Sequence, residues 1–169
     1  ARPQRLLTLG YAIGLLCTLA APKLRDDQGT RLNLLIVIVA LSASGKDHCR
    51  KIIKSILIES GMRDRWIEGA ASSSAIINQL VVNNVCLMTK DEIGEWLSII
   101  SDRNAGSWDK SILPTLMELY SSPDTVFAST ARADVTLGNK MIMNPHFILV
   151  GSTVPDSYFR SMNTESLTN

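Results

Sequence analysis

Two short clusters in this 169-residue chain carry side chains suited to phosphate chemistry. Residues Ala40 to Asp47 read Ala-Leu-Ser-Ala-Ser-Gly-Lys-Asp, directly after the apolar run Leu34-Leu35-Ile36-Val37-Ile38-Val39. A buried strand, a tight loop of small residues and a Gly-Lys pair opening a helix would direct backbone N–H groups at anionic oxygens. Ser42, Ala43, Ser44 and Gly45 would line the phosphates, and Lys46 would reach the β- and γ-phosphates. The common form of such a loop is G-x-x-x-x-G-K-[ST]. Here Ala40 stands at the first Gly, and Asp47 stands where a hydroxyl ordinarily meets Mg²⁺. Asp47 can coordinate the metal itself, cap the helix, or mark a degenerate loop. His48 follows within the same candidate nucleotide-binding segment, though a lone histidine there reads more readily as a surface or loop residue.

The second cluster is Asp91-Glu92, just past the apolar run Val85-Cys86-Leu87-Met88. Parallel sheets place ligands at the carboxyl ends of their strands. Beside a strand adjacent to the phosphate loop, Asp91 could hold Mg²⁺ through water while Glu92 orients or deprotonates an attacking water. The plain alternative is a solvated acid pair at a helix start. A third run, Phe147 to Val150, leads into Gly151-Ser152-Thr153. Ser152 or Thr153 could contact the γ-phosphate or the water, or simply cap a turn.

The elements that must position these groups follow from periodicity. Arg5 to Ala21 reads as a helix stopped by Pro22, and Leu34 to Val39 as a strand covered on both faces. Lys46 to Ser60 reads as a helix with Cys49, Ile52, Ile53, Ile56 and Leu57 at helical spacing. Ser72-Ser73-Ser74 can cap a short helix over residues 75–80. A helix follows Asp91-Glu92 through Trp96 and Ile100, and another spans Ile112 to Tyr120. Val126-Phe127 begins an edge hairpin ending near Gly138-Asn139. Alternating strands and helices imply an α/β fold with a mainly parallel sheet, in one domain spanning residues 1–169.

Composition agrees. Hydrophobic residues make up 46% and aromatics only 5%, which suits an aliphatic core under a parallel sheet. A net charge of +1 argues against a polyanionic partner by bulk charge, leaving only local basic groups such as Arg50-Lys51 with Lys54. Cys17, Cys49 and Cys86 have no paired spacing, and only two histidines exist, so neither a disulfide framework nor a zinc site is expected. This pattern suits a reducing cytoplasm. Leu6 to Ala21 is sixteen residues without a charge, short of the ~20 needed to span a bilayer. A helix packed on the domain is expected, with a signal peptide as the alternative and no membrane partner.

The strand, A-x-S-x-S-G-K-D-H, basic helix, Ser-rich segment, Asp-Glu and N-P-H-F-I-L-V-G-S-T-V-P together resemble the P-loop ATPases of phage and mobile-element replication proteins, of the RecA-like helicase or primase-associated type. The resemblance covers most of residues 30–169. It implies a three-layer P-loop NTPase-like fold, ATP and Mg²⁺ as cofactors, hydrolysis, DNA as partner, and often a homo-oligomer. It would place the chain in a host cytoplasm, as a fragment of a longer protein. By the same resemblance Gly45 and Lys46 bind phosphate, Asp91 binds metal and Glu92 is catalytic. Ala40 and Asp47 depart from the pattern, and Arg160 is the sole arginine after residue 140 that could serve as a finger. Two rivals stay open. One is a non-hydrolysing nucleotide-binding assembly module. The other is a small-molecule or nucleotide kinase, for which Arg63 and Arg65 are the one close arginine pair.

Overall fold

A computed structural model describes residues 4–122, 124–129 and 140–162. The chain runs α1 (Arg5–Ala20), β1 (Leu34–Val39), α2 (Lys46–Glu59), β2 (Trp66–Glu68), α3 (Ser73–Val82), β3 (Val85–Lys90), α4 (Ile93–Ser101), α5 (Ser107–Lys110), α6 (Ile112–Ser121), β4 (Val126–Ala128), β5 (Met141–Met143), β6 (His146–Thr153) and α7 (Pro155–Ser161). β1, β6, β3 and β2 form one sheet in that order, and every pairing in it is parallel. β4 and β5 form a separate antiparallel pair, Val126 opposite Met143. The expected strand pair beginning at Val126 is present, but its second strand is Met141–Met143, beyond the expected end near Gly138-Asn139, which lies outside the described residues.

The sheet's alternation builds two cores. Ile148 and Val150 of β6 and Val85 and Leu87 of β3 point to α1 and α2, joining Leu7, Tyr11, Ile53 and Leu57. Phe147, Leu149, Cys86 and Met88 point the other way, joining Ile76, Leu80, Ile93, Trp96, Ile112 and Leu116 from α3, α4 and α6. β3 and β6 are buried along both faces, as apolar runs without alternation require. Each fully buried Leu or Ile contributes roughly 1.5–3 kcal/mol of transfer free energy. This is a three-layer α/β arrangement.

β1 corrects one expectation. Leu34, Ile36 and Ile38 pack on the α1 side, but Leu35, Val37 and Val39 are exposed, because β1 is an edge strand and, among the described residues, no helix covers its second face. In α2, likewise, Cys49, Ile53 and Leu57 are buried while Ile52 and Ile56 lie on the exposed flank. β2 and α5 were not evident in the sequence. β2 is three residues long, below the length at which a run stands out.

Close packing fixes where the strand tips sit. At Gly14 of α1 an added Cβ would lie 2.3 Å from Val150 Cγ2, so the helix backbone lies directly on β6. At Gly151 it would lie 2.6 Å from Ile93 Cβ, which locks the start of α4 against the end of β6. α1 is thus an integral layer, its Leu7, Tyr11, Gly14, Cys17 and Thr18 buried. No helix among the described residues is long and apolar enough to cross a membrane.

His146 opens β6 at the opposite end of the sheet and is only 1% exposed. Burial, and then the nearby Arg31 charge, hold its pKa below the usual histidine value. The unfolded chain takes up this proton near pH 6.5 while the folded chain resists it. Stability present above pH 6.5 is therefore lost as pH falls below it, toward the folded-state pKa. Urea midpoints are expected to drop between pH 7.5 and 5.5, and His146→Gln should flatten that dependence; an unchanged slope would contradict this assignment.

Candidate functional site

The loop after β1 has the geometry its composition suggests. Ala43 and Gly45 both adopt left-handed backbone conformations, φ 60° and 90°. The Ser44 N–H donates to Leu41 O, and the His48 N–H to Gly45 O, closing the loop onto the first turn of α2. Glycine takes a positive φ without a Cβ penalty, and Ala43 accepts a modest one. The N-terminus of α2 opens at Lys46.

Ser42, Ala43, Ser44, Gly45, Lys46 and Asp47 share a cavity of about 350 Å³ with Asp91 and Glu92. The two clusters far apart in sequence thus face one another. The joining element is β6, which lies between β1 and β3. The expectation that the acid-bearing strand neighbours the loop-bearing strand is corrected: one full strand separates them. β3 also runs on through Thr89 and Lys90, so Asp91 stands at its tip. Thr89 is buried and accepts a hydrogen bond from Trp66 Nε1 at 3.0 Å, which satisfies its hydroxyl near the end of an apolar strand.

Glu92 has φ 46°, a left-handed conformation costing about 1 kcal/mol or more for a non-glycine residue. Asp91 Oδ1 accepts from the Glu92 N–H at 3.0 Å and holds that turn. The turn aims Glu92 back at the loop, where its Oε1 lies 3.5 Å from Lys46 Nζ. Glu92 is partly solvated, so the pair is worth ~1 kcal/mol or less and is easily exchanged for a stronger anion.

Asp91 has further partners. Ser152, buried at the tip of β6, donates from its Oγ to Asp91 Oδ1 at 3.3 Å. Tyr11 of α1 lies beside Ser152, and burial raises the Tyr11 pKa, so the phenol stays protonated. Of the two hydroxyls considered at this tip, Ser152 is therefore the one joined to the acids. Thr153 is buried against Gly94 instead.

Arg50 organises the other side. It donates to Asp47 Oδ1 at 2.8 Å and to Glu68 Oε1 at 2.6 Å, and lies 3.7 Å from Asp91 Oδ2. It is turned inward on carboxylates, and Lys54 sits over Trp66, so Arg50, Lys51 and Lys54 do not pool their charge into one patch. His48 is exposed and is not part of the cavity wall. Tyr11 and Glu68 went unnoticed in the sequence, and Arg50 was read there only as part of a basic group with Lys51 and Lys54. Arg50 carried one usable signal, its place one turn after Lys46 and three residues after Asp47. Tyr11 was hidden in an apolar helix.

Among the described residues, no group of three or more His, Cys, Asp or Glu side chains is arranged to hold a metal ion. A Mg²⁺ ion needs only one or two carboxylates when phosphate oxygens and water complete its shell. Asp91 and Asp47 are the carboxylates on this cavity wall beside Glu92. Comparison of the chain with protein-family models, curated proteins and solved structures found no match.

Proposed function

We propose that this site binds ATP with Mg²⁺ and hydrolyses it in work on DNA, in a P-loop NTPase-like domain. The observation that carries the reading is the shared cavity, in which a left-handed glycine loop and Lys46 face Asp91 and Glu92. Backbone N–H groups and the start of α2 would receive the phosphates, and Lys46 would leave Glu92 for the β- and γ-phosphates. Mg²⁺, held by Asp91 and by Asp47 if it releases Arg50, would neutralise developing charge. The freed Glu92 would position the attacking water, and Ser152 would orient Asp91. At 350 Å³ the cavity is at the small end of ligand sites, which suits phosphates with a base lying outside.

A second reading, a nucleotide-binding module without turnover, is favoured by one observation: Asp47 stands in place of a hydroxyl and is bonded to Arg50. The kinase alternative is less well supported. Arg63 donates to Trp66 O and stacks on the Trp66 ring, and Arg65 donates to Thr18 O, which leaves neither poised over the loop. Phosphate release measured with and without single-stranded DNA separates these readings. Turnover that rises several-fold with DNA is expected. ATP binding with no turnover under either condition would favour the module.

A further inference from the structure

The open edge of β1 and the helix beside it form a second surface, independent of the phosphate loop. β1 pairs with β6 on one side, and among the described residues no strand lies on the other. A free edge presents a row of unpaired N–H and C=O groups. Such edges are usually protected by lysine, proline or a bulge. Leu34 to Val39 has no charge and no proline, and its register with β6 is unbroken. The opposite edge, β2, is only three residues long, with Glu68 bound by Arg50.

α1 adds a matching stripe. Its sheet-facing residues include Leu7, Tyr11, Gly14 and Thr18. A separate row, Leu6, Leu9, Ile13 and Leu16, is 83%, 54%, 37% and 63% exposed. These four recur at spacings of three, four and three, the pattern of a helix–helix seam. A groove of about 620 Å³ joins the row to the strand, lined by Leu6, Leu9, Ile13, Val37, Val39 and Leu41 among others. Among the described residues, no charged side chain lines it.

We propose that this face is the two-fold interface of a homodimer, in which β1 pairs antiparallel with β1 of a second copy and the two α1 rows pack together. The occupant follows from three features. A two-fold axis brings identical patches together, and an uncharged strand beside an uncharged helical row is complementary to itself. Antiparallel pairing would satisfy both open ladders and merge two four-stranded sheets into one of eight. The exposed parts of Leu6, Leu9, Ile13 and Leu16 total on the order of 400 Å², to which the unpaired edge of β1 adds, a substantial share of the ~800 Å² per partner of a standard interface.

Sedimentation equilibrium of the full chain at micromolar concentration tests this. The wild type is expected to be a dimer. Val37→Lys on the strand and Leu9→Lys on the helix replace exposed side chains, so each should keep the wild-type circular dichroism and weaken the dimer roughly tenfold or more. Met117→Lys, at an exposed site on α6, should leave it unchanged. A monomeric wild type overturns the proposal, and a monomer that binds lipid vesicles would assign the row to a membrane surface instead. A dimer that survives both substitutions, or that Met117→Lys weakens equally, also overturns it.

Discussion

Replacing Lys46 with alanine is expected to lower ATP affinity by about a hundredfold while leaving the fold intact. Charged hydrogen bonds contribute ~1.5–3 kcal/mol each, and the lysine would make at least one with a group that stays charged. The side chain is largely shielded, but its sole ion pair among the described residues is with the partly solvated Glu92. Its loss therefore strands no deeply buried charge, and the thermal transition should move little. Equilibrium titration of the variant with ATP checks the first half, and a melt checks the second. Unchanged affinity would remove the loop from the account.

The second large effect concerns Glu92. Glu92→Gln keeps the shape, so the left-handed turn and the Asp91 hydrogen bond to its N–H should persist. The amide cannot accept the proton of an attacking water. Turnover is expected to fall by ~10²–10⁴-fold, with ATP affinity unchanged or slightly improved. The improvement would come from freeing Lys46, which pairs with Glu92. Single-turnover measurement isolates the chemical step. Hydrolysis at the wild-type rate would leave Glu92 as no more than an ion-pair partner.

Much of the scaffold was legible because apolar periodicity reports burial directly. Leu34–Val39 and Lys46–Glu59 fall where the sequence predicts them, and Ser72 caps α3 by accepting from the Ala75 N–H. The turn between β1 and α2 was legible because a glycine there, left-handed at φ 90°, opens the helix at Lys46. Lateral strand order was not legible. Nothing in Val85–Lys90 or His146–Thr153 states that β6 lies between β1 and β3, since both are apolar on both faces. The same gap made β1 seem an interior strand. An edge strand awaiting a partner and a covered strand carry the same residues. Arg50 shows the complementary limit. As a basic residue in a basic helix it suggests a polyanion, and only the fold turns it toward Asp47, Glu68 and Asp91.

The central claim is that the cavity between the loop and the Asp91-Glu92 turn is a triphosphate site. Calorimetric titration of the wild-type chain with ATP and Mg²⁺, repeated with inorganic tripolyphosphate as competitor, tests it most directly. The account predicts one saturable site per chain, with Kd of ~1–100 μM, displaced by tripolyphosphate. No saturable heat at millimolar ATP, or binding that tripolyphosphate leaves untouched, would contradict it.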